Sequence, residues 1–173
     1  MDGQVGTTPD VDDVHAMIVA ALPRLRRFAR SLSRNAHDAD DIVQLAVERA
    51  LRRIDQWRPE MSFVNWMFGI VRNAWLDEAR ARQRRAAVFA PAEAADDVGD
   101  ASAARTVEDL ALQRALARLP DEQRLAVGLV LVEGLSYKEA ADVMQVPIGT
   151  LTSRLARGRL ALAAMLTDPT GAP

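Results

Sequence analysis

The residues of this chain best suited to chemistry are three arginines on one short segment, and that chemistry is electrostatic rather than catalytic. Arg154, Arg157 and Arg159 lie within TLTSRLARGRL, with no acid among them to offset their charge. Guanidiniums so placed hold phosphates and can read base edges with paired donors. Thr152 and Ser153 add short hydroxyls beside Arg154 and Arg157, near the exposed N-terminal part of a predicted helix. Such a helix needs a brace. The preceding segment supplies one: Gly134 breaks the chain, Ser136 and Glu139 have capping-box spacing, and Ala140, Ala141 and Met144 fall on an inward face. Pro147 and Gly149 are expected to make the turn and Thr150 to cap the second helix, with Leu151, Leu155, Leu160 and Leu162 as its apolar contacts. Two helices joined in this way predict a helix-turn-helix that reads DNA, in preference to a helical hairpin with a solvated basic face.

A second group is aromatic. Trp57, Phe63, Trp66, Phe68 and Trp75 surround a predicted loop and precede Arg80, Arg82, Arg84 and Arg85. Rings beside arginines can stack unpaired bases while the cations hold phosphates. Trp66 and Phe68 read as core, whereas Trp57 and Phe63, at the loop edges, are open to either role. Asn73 lies mid-helix, where it either bonds a base or satisfies a backbone group. A third group is acidic: Asp38, Asp40, Asp41 and Glu48. Carboxylates at a helix start complement its dipole, so a protein-contact face through Asp41, Gln44 and Glu48 is favoured over a metal site. His15 and His37 stand alone and no glycine-rich phosphate loop occurs, so no catalytic constellation is expected, and no cofactor.

Composition narrows the classes further. The chain has 173 residues, 49% hydrophobic and 27% charged, rich in alanine, leucine and arginine, which favours helix over strand. It lacks cysteine, which excludes disulfides and thiolate metal sites. No apolar run approaches the roughly 20 residues needed to span a bilayer, and the acidic N-terminus is unlike a signal peptide. A cytoplasmic protein without membrane insertion is expected. The net charge of -2 argues against strong non-specific DNA affinity for the chain alone.

The elements that must position these groups are all helical. After a disordered lead, a helix over 11–32 is interrupted at Pro23, which kinks it or starts a second helix. Asp38 or a neighbour caps a helix to about Ile54, with Ile42, Leu45, Ala46, Ala50 and Ile54 on its apolar face. Pro59 marks a loop, and Ser62 caps a helix that begins apolar and ends as a basic rod. Residues 87–106 lose periodicity and read as a flexible linker. Leu110, Leu112, Leu116 and Leu119 form the stripe of a helix from Val107, a further helix spans Glu122 to Val132, and Gly69 and Gly128 read as packing positions. The expected fold is all-α, with two small helical domains over 11–86 and 107–168.

The strings DADDIVQLAVERAL, SFVNWMFGIVRNAWLDEAR, LARLPDEQR and GLSYKEAADVMQVPIGTLTSRLARGR, in this order, resemble the extracytoplasmic-function (ECF) sigma factors of the sigma-70 family. The resemblance covers roughly Leu22 to Leu166. It implies a region 2 bundle and a region 4 helix-turn-helix that bind the clamp and flap of core RNA polymerase and promoter DNA. It places Asp41, Gln44 and Glu48 on the largest-subunit clamp, although Leu45 stands where the family has glutamate. It places Trp57, Arg58, Ser62, Asn73 and Arg80 at the minus-ten element, where a flipped base is captured. Thr152, Ser153, Arg154 and Arg157 then face the minus-thirty-five element. Thr152 and Ala156 replace the family's common arginine and aromatic, so base preference does not carry over there. The resemblance also implies a stress-response role and an anti-sigma partner. The rival reading is a free-standing helix-turn-helix regulator that works without polymerase.

Overall fold

The computed structural model describes residues 10–88 and 106–167, and no β-strand occurs among them. The expected lead, most of the expected linker, and residue 168 lie outside the described residues.

The first lobe is three helices: α1 (Val11–Leu32), α2 (Ala36–Arg52) and α3 (Phe63–Val88). Asp12 and Asp13 open α1 and Arg30 closes it, each charge opposing the helix dipole. Pro23 does not end α1. Pro23 and Val19, whose carbonyl the ring releases, both face solvent, where water takes the lost hydrogen bond. Ala21, Leu25, Phe28, Ala29 and Leu32 form its buried stripe. Asn35, not Asp38, caps α2: its Oδ1 accepts the Asp38 N–H at 2.8 Å. Helix α2 stops at Arg52, and Ile54 falls in a 3-10 turn, Ile54–Gln56. Ala39, Ile42, Val43, Ala46 and Ala50 are its buried face; Leu45 instead stands exposed between Gln44 and Glu48. Phe63, Met67, Phe68, Val71, Ala74 and Trp75 of α3 complete this core.

The second lobe is α4 (Val107–Arg118), α5 (Asp121–Val127), a π-helical turn (Gly128–Val132), α6 (Tyr137–Met144) and α7 (Ile148–Thr167). Thr106 and Asp109 form a capping box for α4 that periodicity did not indicate. Of the expected α4 stripe, Leu116 and Leu119 are buried but Leu112 faces out, its place taken by Ala115. On α7, Leu151, Leu155 and Leu162 are buried, whereas Leu160 is 73% exposed and makes no core contact. Helix α7 already includes Gly149 and Thr150, so Thr150 is not its cap; the Pro147 carbonyl accepts the first helical bonds, from Thr150 and Leu151. The turn is made by Gln145, held left-handed at φ 56°. Gly69 meets no atom where a Cβ would stand and is no packing position; Gly128 is.

A single buried cluster runs through both lobes. Helix α1 packs on α4, α5 and the π-helical turn, and α3 packs on α6.

Candidate nucleic-acid interface

Three surfaces carry the expected site residues. The first is the outer face of α2. Asp41, Gln44 and Glu48 are exposed at helical spacing, with Leu45 among them. Gln44 Nε2 donates to Glu48 Oε1 at 3.4 Å, and His37 and Arg52 stand 3.8 Å from Asp41 and Glu48. Pairs this long and exposed cost little to exchange for a partner's cations.

The second surface is the start of α3 and the loop before it. The Trp57 indole Nε1–H donates to the Met61 carbonyl at 3.1 Å. Its ring meets Phe63 edge-on, with centroids 5.6 Å apart, and Phe63 meets Trp66 at 5.7 Å. This stack fixes the loop. Phe63 belongs to the core, whereas Trp57 and Trp66 are each half-buried and keep ring surface open; Phe68 and Trp75 are core. Ser62 precedes the first helical residue and its carbonyl accepts the Trp66 N–H. Arg58, Ser62, Asn73 and Arg80 are exposed. Asn73 Oδ1 accepts from Arg72 Nε at 3.1 Å and from Arg72 Nη2 at 2.8 Å, which leaves the Asn73 amide N–H groups for a ligand. Arg72, read in sequence with the basic rod, is buried, and burial lowers its pKa from the ordinary value. The rod is partly neutralised: Arg80 lies 3.4 Å from Asp77, Arg85 2.7 Å and Arg82 3.7 Å from Glu78, and Arg82 also 3.9 Å from Asp38.

A cavity of about 500 Å³ opens between α3 and α6. Ser62, Trp66 and Asn73 line one side of it, and Glu139 and Asp142 the other. Trp57, Arg58 and Arg80 do not reach it. Glu139 is the capping-box carboxylate of α6, and Asn65 Nδ2 donates to it at 3.1 Å. Hydrogen bonds from Ser136 and then Asn65 hold its carboxyl below the ordinary value near 4.5.

The third surface is the N-terminal half of α7. Thr152, Ser153 and Arg157 are exposed. Thr152 Oγ1 donates to the Ile148 carbonyl at 2.8 Å and Ser153 Oγ to the Thr150 carbonyl at 2.9 Å. Each hydroxyl therefore keeps acceptor capacity for a base amino group. Arg157 Nε donates to the Ser153 carbonyl at 3.2 Å and its Nη2 to Ser153 Oγ at 3.5 Å, which leaves Nη1 without a partner among the described residues. Arg154 differs: it is paired with Glu122 of α5 at 2.8 Å and its side chain is only 18% exposed. An acid distant in sequence thus offsets one of the three arginines.

Sequence reasoning missed Arg124. It is buried on α5, its Nη1 donates to the Leu32 carbonyl at 2.9 Å, and its guanidinium lies over Trp75. The only sequence signal was a cation immediately before the apolar run of residues 125–132. Among the described residues, no group of three His, Cys, Asp or Glu is placed to hold a metal, and no helix is long and apolar enough to cross a membrane.

Residues 17–85 match the family model for Sigma-70 region 2, and residues 109–162 match that for Sigma-70, region 4. The chain is 37% identical over 168 residues to the ECF RNA polymerase sigma factor EcfG of Rhodopseudomonas palustris, covering 91% of this chain and 87% of that protein. It is 41% identical over 143 residues to SigM of Mycobacterium tuberculosis, covering 83% of this chain and 71% of that protein. Among solved structures it is similar to the sigma factor RpoE of Bartonella quintana, crystallised with the anti-sigma factor NepR. That likeness has 31% identity and a TM-score of 0.77, and covers 91% of this chain and 98% of the other.

Proposed function

The chain belongs to the ECF RNA polymerase sigma factors of the sigma-70 family, and we propose that it docks on core polymerase through α2 and reads promoters through α3 and α7. Residues 11–86 then act as region 2, 87–106 as the connecting segment and 107–168 as region 4. Asp41, Gln44 and Glu48 meet the clamp of the largest subunit. Trp57, Arg58, Ser62, Asn73 and Arg80 receive the minus-ten strand, with the aromatic stack bracing the loop and Asn73 offering amide donors to an unstacked base. Trapping that base offsets an unstacking cost of about a few kcal/mol. Thr152, Ser153, Arg154 and Arg157 face the minus-thirty-five duplex, the arginines taking phosphates or guanine edges. The work is binding and positioning in the cytoplasm, not bond-making by this chain. An anti-sigma factor controls it, as NepR binds the similar RpoE.

What carries the reading is a pairing on one chain: an exposed acidic face on α2 and an exposed hydroxyl-and-arginine face on α7. Each lies within one of the two matched regions. The net charge of -2 fits a factor that gains promoter affinity only with polymerase. Asp41→Arg tests the docking face. Co-elution with purified core is expected to weaken by about 1 kcal/mol or more, with helicity unchanged, as for a reversed interface charge. Undiminished binding would contradict the assignment.

A further inference from the structure

A second pocket, of about 400 Å³, opens where the turn after α1, the later part of α3 and the start of α5 meet. It shares no lining residue with the cavity between α3 and α6. Arg34, Arg82 and Gln83 line it, together with Asp121 and with Arg124, whose guanidinium lies over Trp75. Three guanidiniums distant in sequence therefore converge on one concavity, and a single carboxylate lines it with them.

The three cations are not equally committed. Arg124 is buried and donates to the Leu32, Ala117 and Leu119 carbonyls, while its Nε has no partner. Burial holds its pKa below the ordinary value; Asp121 raises it, and Arg34 and Arg82 lower it again. Its charge reaches the pocket, but its donors are largely spent on carbonyls. Arg34 is exposed and has no partner among the described residues. Arg82 stands 3.9 Å from Asp38 through Nη1 and 3.7 Å from Glu78 through Nε, beyond hydrogen-bond length, and its Nη2 has no partner among the described residues. Glu78 is held more closely by Arg85, at 2.7 Å. Arg34 and Arg82 thus keep donors for a ligand, and repulsion among like charges falls when an anion joins them.

We propose that this pocket binds the terminal phosphate of a small molecule, with Arg34 and Arg82 as donors and the Arg124 charge behind them. Phosphate suits the site because its several oxygens accept from two guanidiniums at once, in the paired geometry arginine favours. The volume is that of a ligand pocket, in a range of roughly 300–1,000 Å³, rather than a surface dimple. A terminal phosphate enters such a pocket end-on, whereas a backbone phosphodiester carries a sugar on either side. Arg124 covers the Trp75 ring at 5.6 Å, so the site selects for phosphate and not for a stacked base. Free pyrophosphate and a nucleoside diphosphate present the same chemistry. The proposal goes beyond the sigma reading and does not depend on it.

Isothermal titration of the full chain with sodium pyrophosphate, and separately with ADP, tests it at constant ionic strength set by chloride. Saturable one-to-one binding is expected, with a rise in melting temperature because the ligand binds only the folded chain. Equal affinities identify phosphate alone as the ligand group, and tighter ADP identifies a nucleotide. Arg34→Ala and Arg82→Ala should each weaken binding by about tenfold, as for one lost hydrogen bond to a charged group. Arg30→Ala removes the same charge at an exposed position outside the pocket and should change affinity little. Helicity is measured alongside, and Arg34→Ala, in an exposed turn, decides the outcome if Arg82→Ala does not fold. The proposal is overturned by the absence of saturable binding of either probe. Equal losses in Arg30→Ala and Arg34→Ala overturn it too, since they mark diffuse attraction. So does binding that survives both pocket substitutions. A loss of duplex DNA affinity in Arg34→Ala without pyrophosphate binding assigns these cations to nucleic acid instead.

Discussion

Helices α3 and α7 are both assigned to DNA, yet they are prepared for it differently. On α3 four of the five arginines are already engaged: Arg80 with Asp77, Arg82 and Arg85 with Glu78, and Arg72 buried against α6. On α7, Arg157 and Arg159 face no carboxylate among the described residues, and only Arg154 has one, in Glu122. A cation that already has a carboxylate partner adds little to non-specific attraction, because an incoming phosphate must first displace that partner. The difference suits the two tasks. A duplex is available at all times and can be sampled by an open helix, whereas a single strand exists only after melting. A strand-reading face whose cations are already paired attracts little nucleic acid beforehand.

The comparison can be broken most readily at Arg157. Arg157→Ala is expected to weaken recognition of the minus-thirty-five duplex by about 1–3 kcal/mol if the guanidinium reads a base. Binding of a random-sequence single strand by the same variant should hardly move. Fluorescence anisotropy with both probes checks it, and equal losses on both would erase the distinction between the helices. A smaller effect is expected from Glu122→Gln, which releases Arg154. The pair is half in solvent, so duplex affinity should rise by no more than about 1 kcal/mol, and less at high salt. No gain would mean that Arg154 serves α5 rather than DNA.

The smallest effect concerns pH. Glu139 is held below the ordinary carboxylate value by Ser136 and Asn65, so its cap and its bond to α3 stabilise the folded form at neutral pH. That contribution is complete above about pH 4.5 and is lost as pH falls through the lowered folded-state value. Acid should therefore loosen the start of α6 before α7. Amide exchange across Ser136–Met144 measured down the acid limb tests this, and Glu139→Gln should flatten the dependence.

Much of this fold was legible because it is local. The α2 stripe from Ala39 to Ala50 and the capping box of Ser136 and Glu139 follow from side-chain period and cap chemistry. Errors arose where two local rules competed or a distant residue decided. Asn35 and Asp38 are both good caps, and three-residue spacing selected Asn35. Gly149 looked like the turn, but Gln145 accepted the left-handed conformation and Gly149 entered the helix. Leu112 and Leu160 fit apolar periods yet stand exposed. The least legible part is the lobe contact. Glu133 bonds Arg24 across 109 residues of sequence, and Gly128 matters only because Phe28 and Ser31 come to rest on it. No window of sequence carries that information.

The assignment as a whole is tested most directly by run-off transcription, with purified core polymerase and this chain, on a library of genomic fragments. The account predicts transcripts that start at a shared pair of upstream elements, absent with core alone and lost with Asp41→Arg. Association with core but no specific initiation, or specific duplex recognition that does not need core, would contradict it.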